Sequence, residues 1–546
     1  MERHFDHIVV GAGTAGCLLA NRLSADAAAR VLLLEAGGSD SYHWIRIPIG
    51  YLYCIGNPRT DWMYMTEPDP GLNGRRLRYP RGRVLGGCSS INGMLYVRGQ
   101  ARDFDAWAEL TGEDAWCWQN ALPDFRAHES NWRLDGGRDA AAEAVHGRAG
   151  ELRVERQRLK FPVLEAFAAA CVEAGIPARA DFNDGDNEGV GFFEVTQRRG
   201  WRWSAASAFL RPIRGRANLT VRTGAEVDRL LIERRPEGLA CTGVLLRGGE
   251  RLTARRGVVL SAGAVNSPKL LQLSGLGPAD LLAANGIGVV ADLPAVGGNL
   301  QDHLQIRSVW KVTGAGTLNE LSRGLGKARM ALEYALRRRG PMSMAPSQLG
   351  AFTRSEPGRN HANVEFHVQP LSLDAFGEPL HAFPAITASV CNLNPTSRGR
   401  IDIASPRAED APRIRPNYLS TDEDRHVAAE SLRLTRRVCA QPALTRYAPQ
   451  EWKPGVAIQT DDDLIRHAGD IATTIFHPVG TTAMGRDGDP EAVLDPHMRM
   501  RDGRGGLVAG LRVVDAGAMP VIPSGNTNAP VLMMAEKAAR WILAEG

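Results

Sequence analysis

The sequence predicts an α/β protein with a Rossmann-like nucleotide-binding domain and an inserted α+β substrate domain built on an antiparallel sheet with helices. Three observations support this prediction. Residues 5–35 have the pattern of a βαβ unit, the middle of the chain alternates apolar and polar residues, and the C-terminal stretch returns to a strand and an apolar helix. At 546 residues the chain is also longer than one hydrophobic core usually serves.

The N-terminal βαβ unit is the most specific of these patterns. The β-branched run 5–10 leads into a glycine turn, an apolar-periodic segment and a second apolar run that ends at Glu35. Gly11 permits a tight turn, Gly13 lets the backbone approach a pyrophosphate, and Gly16 lets the helix pack close to the strand. Glu35 is placed to accept hydrogen bonds from an adenosine ribose. The unit predicts a dinucleotide site but does not distinguish FAD from NAD.

Further elements are predicted in order along the chain. Residues 256–262 have the pattern of a buried strand that leads into a helix. Residues 325–339 are amphipathic and end at a Gly-Pro pair, which predicts a helix. Alternating runs from about residue 310 to 470 predict the antiparallel sheet. The C-terminal helix is too apolar for a surface helix, so we expect it to return to the first domain.

These elements divide the chain into two discontinuous domains. The predicted nucleotide-binding domain comprises residues 1–155, 200–310 and 470–546. The predicted substrate domain comprises residues 156–199 and 311–469.

Composition excludes several classes of function. The chain has 65 basic and 61 acidic residues, an even mixture that argues against nucleic acid as a partner. It lacks the GxxxxGK[ST] phosphate loop and any apolar run of the ~20 residues that a membrane span needs. Peripheral contact with a membrane is not excluded.

The cysteines and the N-terminus indicate the compartment. The eight cysteines are scattered, without a CxxC pair or a metal-like grouping, which is typical of reduced thiols and predicts no metal site. The first strand begins near residue 5 and leaves no room for a signal peptide. We therefore expect a cytoplasmic protein.

A basic loop precedes a second glycine turn. Residues 75–83 contain five arginines, and Gly86-Gly87 with the small hydroxyl residues that follow suit backbone pressed against a flat or anionic ligand. The arginines fit either contact with phosphates or a solvated face, and the sequence leaves both readings open.

Two polar residues near the C-terminus are candidates for chemistry. His477 and Asn526 each lie among proline, glycine and small residues, a setting typical of a rigid loop that faces a cavity. A single histidine is usually a structural group, and Ser-Gly-Asn is ordinary turn chemistry. The residues alone therefore identify no reaction.

The motifs together resemble the glucose–methanol–choline (GMC) family of flavoprotein oxidoreductases over essentially the whole chain. The opening VVGAGTAGCLLANRL with LLLEAG is similar to the family's FAD-binding start. The resemblance is greatest to the bacterial alcohol dehydrogenase (acceptor) and choline dehydrogenase branch. Further blocks that resemble family signatures are residues 82–99, 263–277, 296–303, 477–485 and 511–530.

The resemblance implies FAD rather than NAD, and it implies roles for particular residues. His477 matches the family's catalytic histidine, and Asn526 matches a second position that is histidine or asparagine. The glycine turn at residues 86–87 matches backbone that wraps the cofactor, and Val227 the lining of the adenine side. The implied cofactor-binding residues are Gly11, Gly13, Gly16, Glu35, Val84, Gly86, Gly87, Asn92, Val227, Asp515 and Asn528.

Two departures from the family pattern carry information. Members that bind flavin covalently at this signature have histidine where this chain has Ile91, so we expect non-covalent FAD. Choline-acting relatives have a glutamate where alignment places Gln348. A neutral amide attracts a quaternary ammonium less than a carboxylate does, which disfavours choline.

The implied activity is that of a GMC-type FAD-dependent alcohol dehydrogenase (acceptor). A primary alcohol is oxidised to the aldehyde by hydride transfer to flavin N5, with His477 as the base. Electrons pass to a non-NAD acceptor, either a quinone or other carrier, or oxygen. The alternatives are a choline dehydrogenase, an oxygen-using alcohol oxidase, and a non-redox hydroxynitrile lyase of the same fold.

Overall fold

A computed structural model describes residues 4–374 and 378–545. Its α-helices are α1 Thr14–Leu23, α2 His43–Arg46, α3 Tyr51–Cys54, α4 Ala101–Thr111, α5 Trp118–His128, α6 Ala140–Val145, α7 Pro162–Glu173, α8 Gly263–Leu273, α9 Ala279–Ala284, α10 Leu318–Leu321, α11 Gly326–Arg337, α12 Asp422–Cys439, α13 Pro442–Thr445, α14 Asp461–Ile471 and α15 Asn528–Ala544.

The described residues also form 25 strands. They are β1 His4–Val10, β2 Val31–Glu35, β3 Leu95–Tyr96, β4 Glu129–Asn131, β5 Leu152–Arg156, β6 Gly189–Phe192, β7 Glu194–Val195, β8 Gln197–Arg198, β9 Trp201–Arg202, β10 Leu219–Thr223, β11 Val227–Arg235, β12 Gly238–Leu246, β13 Arg251–Leu260, β14 Leu276–Gly277, β15 Ala291–Asp292, β16 Leu304–Lys311, β17 Leu349–Thr353, β18 Val364–Gln369, β19 Ala385–Asn392, β20 Arg400–Asp402, β21 Arg413–Arg415, β22 Gln450–Lys453, β23 Ala472–Thr474, β24 Arg499–Arg501 and β25 Leu507–Val513.

The largest sheet confirms the predicted Rossmann-like architecture. Its strand order is β10-β2-β1-β13-β12-β25-β24, with β11 paired to β12. The strands β10, β2, β1, β13 and β25 run parallel. Their carboxyl ends therefore meet at one edge, the edge at which open α/β sheets bind their ligands.

The predicted antiparallel sheet is also present. Its order is β17-β18-β19-β16-β22, and β23 also pairs with β16. Side chains alternate across the strands: Val364, Phe366 and Val368 of β18 lie in an apolar core with residues of α7 and α12. Glu365 and His367 therefore project from the opposite, polar face. The domain boundaries given above stay a prediction.

The C-terminal helix returns to the first domain, as its composition predicts. Residues 529–539 of α15 are all buried. They share a core with β1, β2 and the buried residues of α1. An apolar helix of this kind is stable only when it is enclosed on all sides.

Other sequence predictions have mixed outcomes. All eight cysteines are free thiols. In the described ranges, no helix combines the length and apolarity needed to cross a membrane. The amphipathic segment 325–339 forms α11, but the helix does not bury its leucines: Leu325, Leu332 and Leu336 are exposed to solvent.

Candidate functional site

A cavity lies between the carboxyl edge of the parallel sheet and the polar face of the antiparallel sheet. Gly11 and Glu35 line it from the first sheet, and Gln305, His367 and Gln369 line it from the second. Both sheets therefore contribute walls to one site.

The glycine turn gives this cavity a bare backbone wall. Gly11 has φ +96°, and a Cβ atom on Gly16 would lie 1.9 Å from the Gly11 carbonyl oxygen. A Cβ atom on Gly13 would come within 4 Å only of the Ser261 carbonyl oxygen, at 3.9 Å. Gly11 and Gly16 are thus required by the backbone and its packing, whereas Gly13 leaves room for a ligand.

Two helix N-termini open onto the cavity. The N-cap residues of α1 and α15 are Gly13 and Thr527, both line the cavity, and neither caps its helix through a side chain. The Thr14 hydroxyl donates to the Asn528 side-chain oxygen over 2.9 Å, which ties the two helices together. Free N–H groups and aligned dipoles at these ends suit a pyrophosphate.

Two buried carboxyl groups stand at the strand ends beside the turn. Glu35 accepts hydrogen bonds from the backbone N–H groups of Ala12 and Gly37 at 3.0 and 2.8 Å. Burial raises the pKa of Glu35 to about 7. Asp515 accepts hydrogen bonds from the N–H groups of Gly263 and Gly517, and burial raises its pKa as well.

Most of the predicted cofactor residues face this cavity. Gly16, Val84 and Gly86 do not line it: Gly16 packs α1 on the glycine turn, Val84 lies in an apolar cluster, and the Gly86 N–H donates to the Ala12 carbonyl. The eight that line it are Gly11, Gly13, Glu35, Gly87, Asn92, Val227, Asp515 and Asn528. These features fit a dinucleotide: a glycine that leaves space, two open helix ends and a carboxyl group at the second strand.

The structure brings the two candidate catalytic residues together. His477 and Asn526 both line the cavity. Their side chains meet through the Asn526 amide nitrogen and His477 Nε2, 3.2 Å apart. Two loops that are distant in sequence therefore present an imidazole and an amide to the same space.

A chain of hydrogen bonds fixes the tautomer of His477. The Leu393 carbonyl can only accept, so His303 donates to it from Nε2 over 3.2 Å. A neutral His303 then carries a lone pair on Nδ1, which lies 3.0 Å from His477 Nδ1. His477 must donate from Nδ1, and its Nε2 is left without a proton. The nitrogen that meets Asn526 is therefore the basic one.

Burial keeps this histidine neutral. His477 is 9% exposed, and desolvation lowers its pKa well below the usual value of 6.5. The nearby His303, His367 and Arg81 lower it further. Desolvation also lowers the pKa of His303, which agrees with the neutral tautomer just assigned.

The loop that carries His477 is held by several contacts. Phe476 has φ +72°, a left-handed conformation that is costly for a bulky residue. Arg81 donates to the Phe476 carbonyl over 2.7 Å, and the His477 N–H donates to Asp302 Oδ1 over 2.8 Å. The other oxygen of Asp302 accepts hydrogen bonds from Tyr79, Tyr418 and Thr474.

Three residues that departed from or extended the expected pattern can now be placed. Ile91 lines the cavity. Gln348 is buried, donates to the Ala345 carbonyl and is not among the residues that line the cavity. In the basic loop, Arg75 donates to the Gly469 and Ala472 carbonyls. It therefore bonds within the protein, a role that differs from both contact with phosphates and a solvated face.

Sequence reasoning assigned no role to several residues of the site. His303 and Asp302 lie in the block 296–303 that carried part of the family resemblance. Their only local signal is an Asp-His pair directly before a strand. Gln305 and Gln369 were also not singled out, although both line the cavity.

A cluster of potential metal ligands lies at this wall, and one of its members, His367, lines the cavity. The ligand atoms of Glu365, His367 and Cys391 are all within 4.8 Å of one another. His367 Nε2 is 3.1 Å from Glu365 Oε1, an ion-pair distance. Cys391 Sγ lies 3.9 Å from the other oxygen of Glu365, so the three side chains contact one another.

Comparison with known proteins gives consistent matches. Residues 5–305 and 395–535 match two family profiles described as GMC oxidoreductase. An alcohol dehydrogenase (acceptor) from Pseudomonas putida is 39% identical over 99% of this chain and 96% of its own length. A mitochondrial choline dehydrogenase from Homo sapiens is 40% identical over 98% of this chain and 89% of its own. The crystal structure of pyridoxine 4-oxidase from Mesorbium loti superposes with a TM-score of 0.87 at 32% identity, covering 98% of this chain and 99% of that one.

Proposed function

The chain belongs to the GMC oxidoreductases and is an FAD-binding enzyme, and on this premise we propose that it oxidises a neutral primary alcohol to the aldehyde. The observation that carries the proposal is the contact between His477 Nε2 and the Asn526 amide at the cavity wall, 3.2 Å apart. A hydroxyl oxygen at this point can meet a base and a hydrogen-bond donor together.

The residues of the chain divide the work on the hydroxyl group. His477 accepts the hydroxyl proton at Nε2, the nitrogen that its hydrogen bond to His303 leaves unprotonated. Asn526 then donates from its amide to the oxygen as negative charge develops there. FAD bound in this cavity supplies the hydride acceptor. His303 is a positioning residue, since it touches His477 and not the cavity.

The charges of the cavity favour a neutral alcohol over choline. Among the described residues, the carboxylates that line it are Glu35, Glu226 and Asp515, and Glu35 and Asp515 stand at the strand ends beside the glycine turn. The wall formed by the antiparallel sheet presents the neutral amides of Gln305 and Gln369. A quaternary ammonium gains little from an amide wall. The choline-acting relatives keep choline as the alternative substrate.

Further details of the proposal follow from single observations. The flavin is held non-covalently, because Ile91 offers no nucleophile at the cavity wall. Electrons leave to a non-NAD acceptor, either a quinone or other carrier, or oxygen; the name of the Pseudomonas putida relative specifies only an acceptor. The free thiols support a cytoplasmic location.

Anaerobic reduction of the bound flavin tests this function directly. We expect neutral primary alcohols to bleach the oxidised flavin spectrum without oxygen. Choline, a cationic primary alcohol, should bleach it more slowly at equal concentration. Release of FAD on denaturation, without a flavin left on the chain, would support non-covalent binding. A flavin that stays oxidised with every alcohol would refute the proposal and favour a non-redox lyase. Faster bleaching by choline than by the neutral alcohols would refute only the preference for a neutral substrate.

A further inference from the structure

The outer face of α11 is apolar, whereas a surface helix normally presents polar residues to water. Leu325, directly before the helix, is 88% exposed, and Leu332 and Leu336 are 60% and 73% exposed. Ala328 and Ala335 are also exposed and continue the same stripe. Single exposed leucines are common on soluble proteins, but a contiguous stripe marks a surface that binds something.

The opposite face of α11 already has its partners. Tyr334 is buried, and its hydroxyl donates to the Gly200 carbonyl over 2.9 Å. Met330 packs against an apolar cluster that includes Leu318 and Met344. The helix is therefore anchored to the body of the protein, and its leucines are left for an external partner.

A basic rim surrounds the leucines. Residues 318–339 contain six basic side chains against two acidic ones. Lys327, Arg329 and Arg337 are exposed. Arg338 lies 4.4 Å over the ring of Trp201. The surface thus has exposed leucines at its centre and positive charge at its margins.

This charge distribution distinguishes between two occupants. A two-fold contact between copies of the chain would place the basic rim against itself, since a symmetric interface uses the same patch twice. An anionic bilayer offers the complementary charge, and its acyl region accepts leucine side chains. We propose that α11, with the flanking residues 321–325 and 338–339, docks on a membrane that contains anionic lipids.

The apolar cluster that anchors α11 also includes a residue near the cavity in sequence. Met330 shares its apolar cluster with Ile49. Ile49 lies two residues before Tyr51, which lines the cavity. The inference goes beyond the proposed oxidation and does not depend on it.

Cosedimentation with lipid vesicles tests the proposal on the FAD-loaded protein. We expect binding to phosphatidylcholine vesicles that contain phosphatidylglycerol, and weaker binding when phosphatidylglycerol is omitted or salt is raised. Combining Leu325→Ser, Leu332→Ser and Leu336→Ser should lower the ratio of bound to free protein by about 100-fold. Lys327→Glu with Arg329→Glu should lower binding only to the vesicles that contain phosphatidylglycerol.

Controls separate docking from damage and from self-association. Leu110→Ser, at a leucine on α4 that is 40% exposed, should leave binding unchanged. The triple variant should retain its FAD content and its alcohol turnover. Equal vesicle binding by wild type and triple variant, or none by wild type, would overturn the proposal. A dimer in sedimentation velocity that the triple variant dissociates, without any vesicle binding, would overturn it in favour of a second copy.

Discussion

At the scale of single residues, the chemistry depends on which nitrogen of His477 carries a proton. His303 donates from Nε2 to the Leu393 carbonyl and accepts at Nδ1 from His477 Nδ1. His477 therefore has no proton on Nε2, the nitrogen at the cavity. Burial lowers the pKa of both imidazoles. In the proposed oxidation, His477 would therefore be in its basic form before any alcohol binds.

We expect flavin reduction to be nearly independent of pH between 8 and 6. A base acts only when it is unprotonated, and the lowered pKa of His477 keeps it so across this range. An ordinary histidine with a pKa of ~6.5 would be about three-quarters protonated at pH 6. Rates of anaerobic flavin reduction at saturating alcohol measure this directly, and a decline with a midpoint near 6.5 would refute the assignment.

Replacement of His303 should change both the rate and its pH profile. In His303→Ala, His477 loses the acceptor for its Nδ1–H, and we expect reduction to slow by about 10- to 100-fold. Water that enters the space left by the imidazole also relieves the desolvation of His477, so the pKa of His477 rises toward its usual value and a decline in rate appears at the acid end of this pH range. His303→Asn retains an acceptor and a donor and should recover most of the rate. Identical profiles in wild type and His303→Ala would remove His303 from this role.

The sequence could predict part of this site and not the rest. His477 and Asn526 lie in distinctive loops, and a family resemblance supplied their roles. His303 bonds to a residue 174 positions away, so no local pattern shows that contact. Gln305 and Gln369 were missed for the same reason, because only the folded sheet places them at the cavity wall.

At the scale of elements, the βαβ unit separates a glycine needed for packing from a glycine that leaves room for the proposed cofactor. A Cβ atom on Gly16 would overlap the Gly11 carbonyl oxygen, whereas one on Gly13 meets nothing closer than 3.9 Å. Gly13 also has φ −77°, which alanine adopts readily.

We therefore expect opposite outcomes from two alanine variants. Gly13→Ala should fold with unchanged thermal stability as apoprotein but bind FAD at least ~10-fold more weakly, because its methyl group occupies the path of the pyrophosphate. Gly16→Ala should destabilise the apoprotein itself, because the backbone must shift. Thermal unfolding and FAD titration distinguish the two. Normal FAD affinity in Gly13→Ala would contradict the placement of the cofactor.

The helix α11 shows what periodicity does not determine. An amphipathic pattern predicts a helix with two different faces, and the structure has that helix at Gly326–Arg337. Which face turns to the core depends on the neighbours, here the hydrogen bond from Tyr334 to Gly200. The strands β1 and β2, by contrast, are almost entirely buried, and the apolar runs of residues 8–10 and 31–34 predicted them well.

At the scale of the whole molecule, the C-terminal helix closes the nucleotide-binding region. Leu532 and Met533 are fully buried against the same core as α1. Arg22 of α1 forms ion pairs with Glu536 of α15 and with Glu151, each at 2.6 Å. Residues from both ends of the chain are therefore required for one structural unit.

Truncating a side chain on this helix should destabilise the protein as a whole. We expect Leu532→Ala to lower the free energy of unfolding by about 2–5 kcal/mol, because it leaves a cavity in a closed core. Leu543→Ala, at a site that is 43% exposed on the same helix, serves as the control and should cost much less. Denaturant titration of the two apoproteins measures the difference, and equal midpoints would contradict the enclosed position of the helix.

The central claim is that an unprotonated His477 removes the alcohol proton beside Asn526. Its most direct test is the rate of anaerobic flavin reduction in His477→Ala, compared with wild type and with His426→Ala, whose imidazole pairs with Glu356 at the surface. We expect a rate about 10²- to 10⁴-fold lower in His477→Ala, with FAD still bound, and no change in the control. Reduction at close to the wild-type rate in His477→Ala would contradict it.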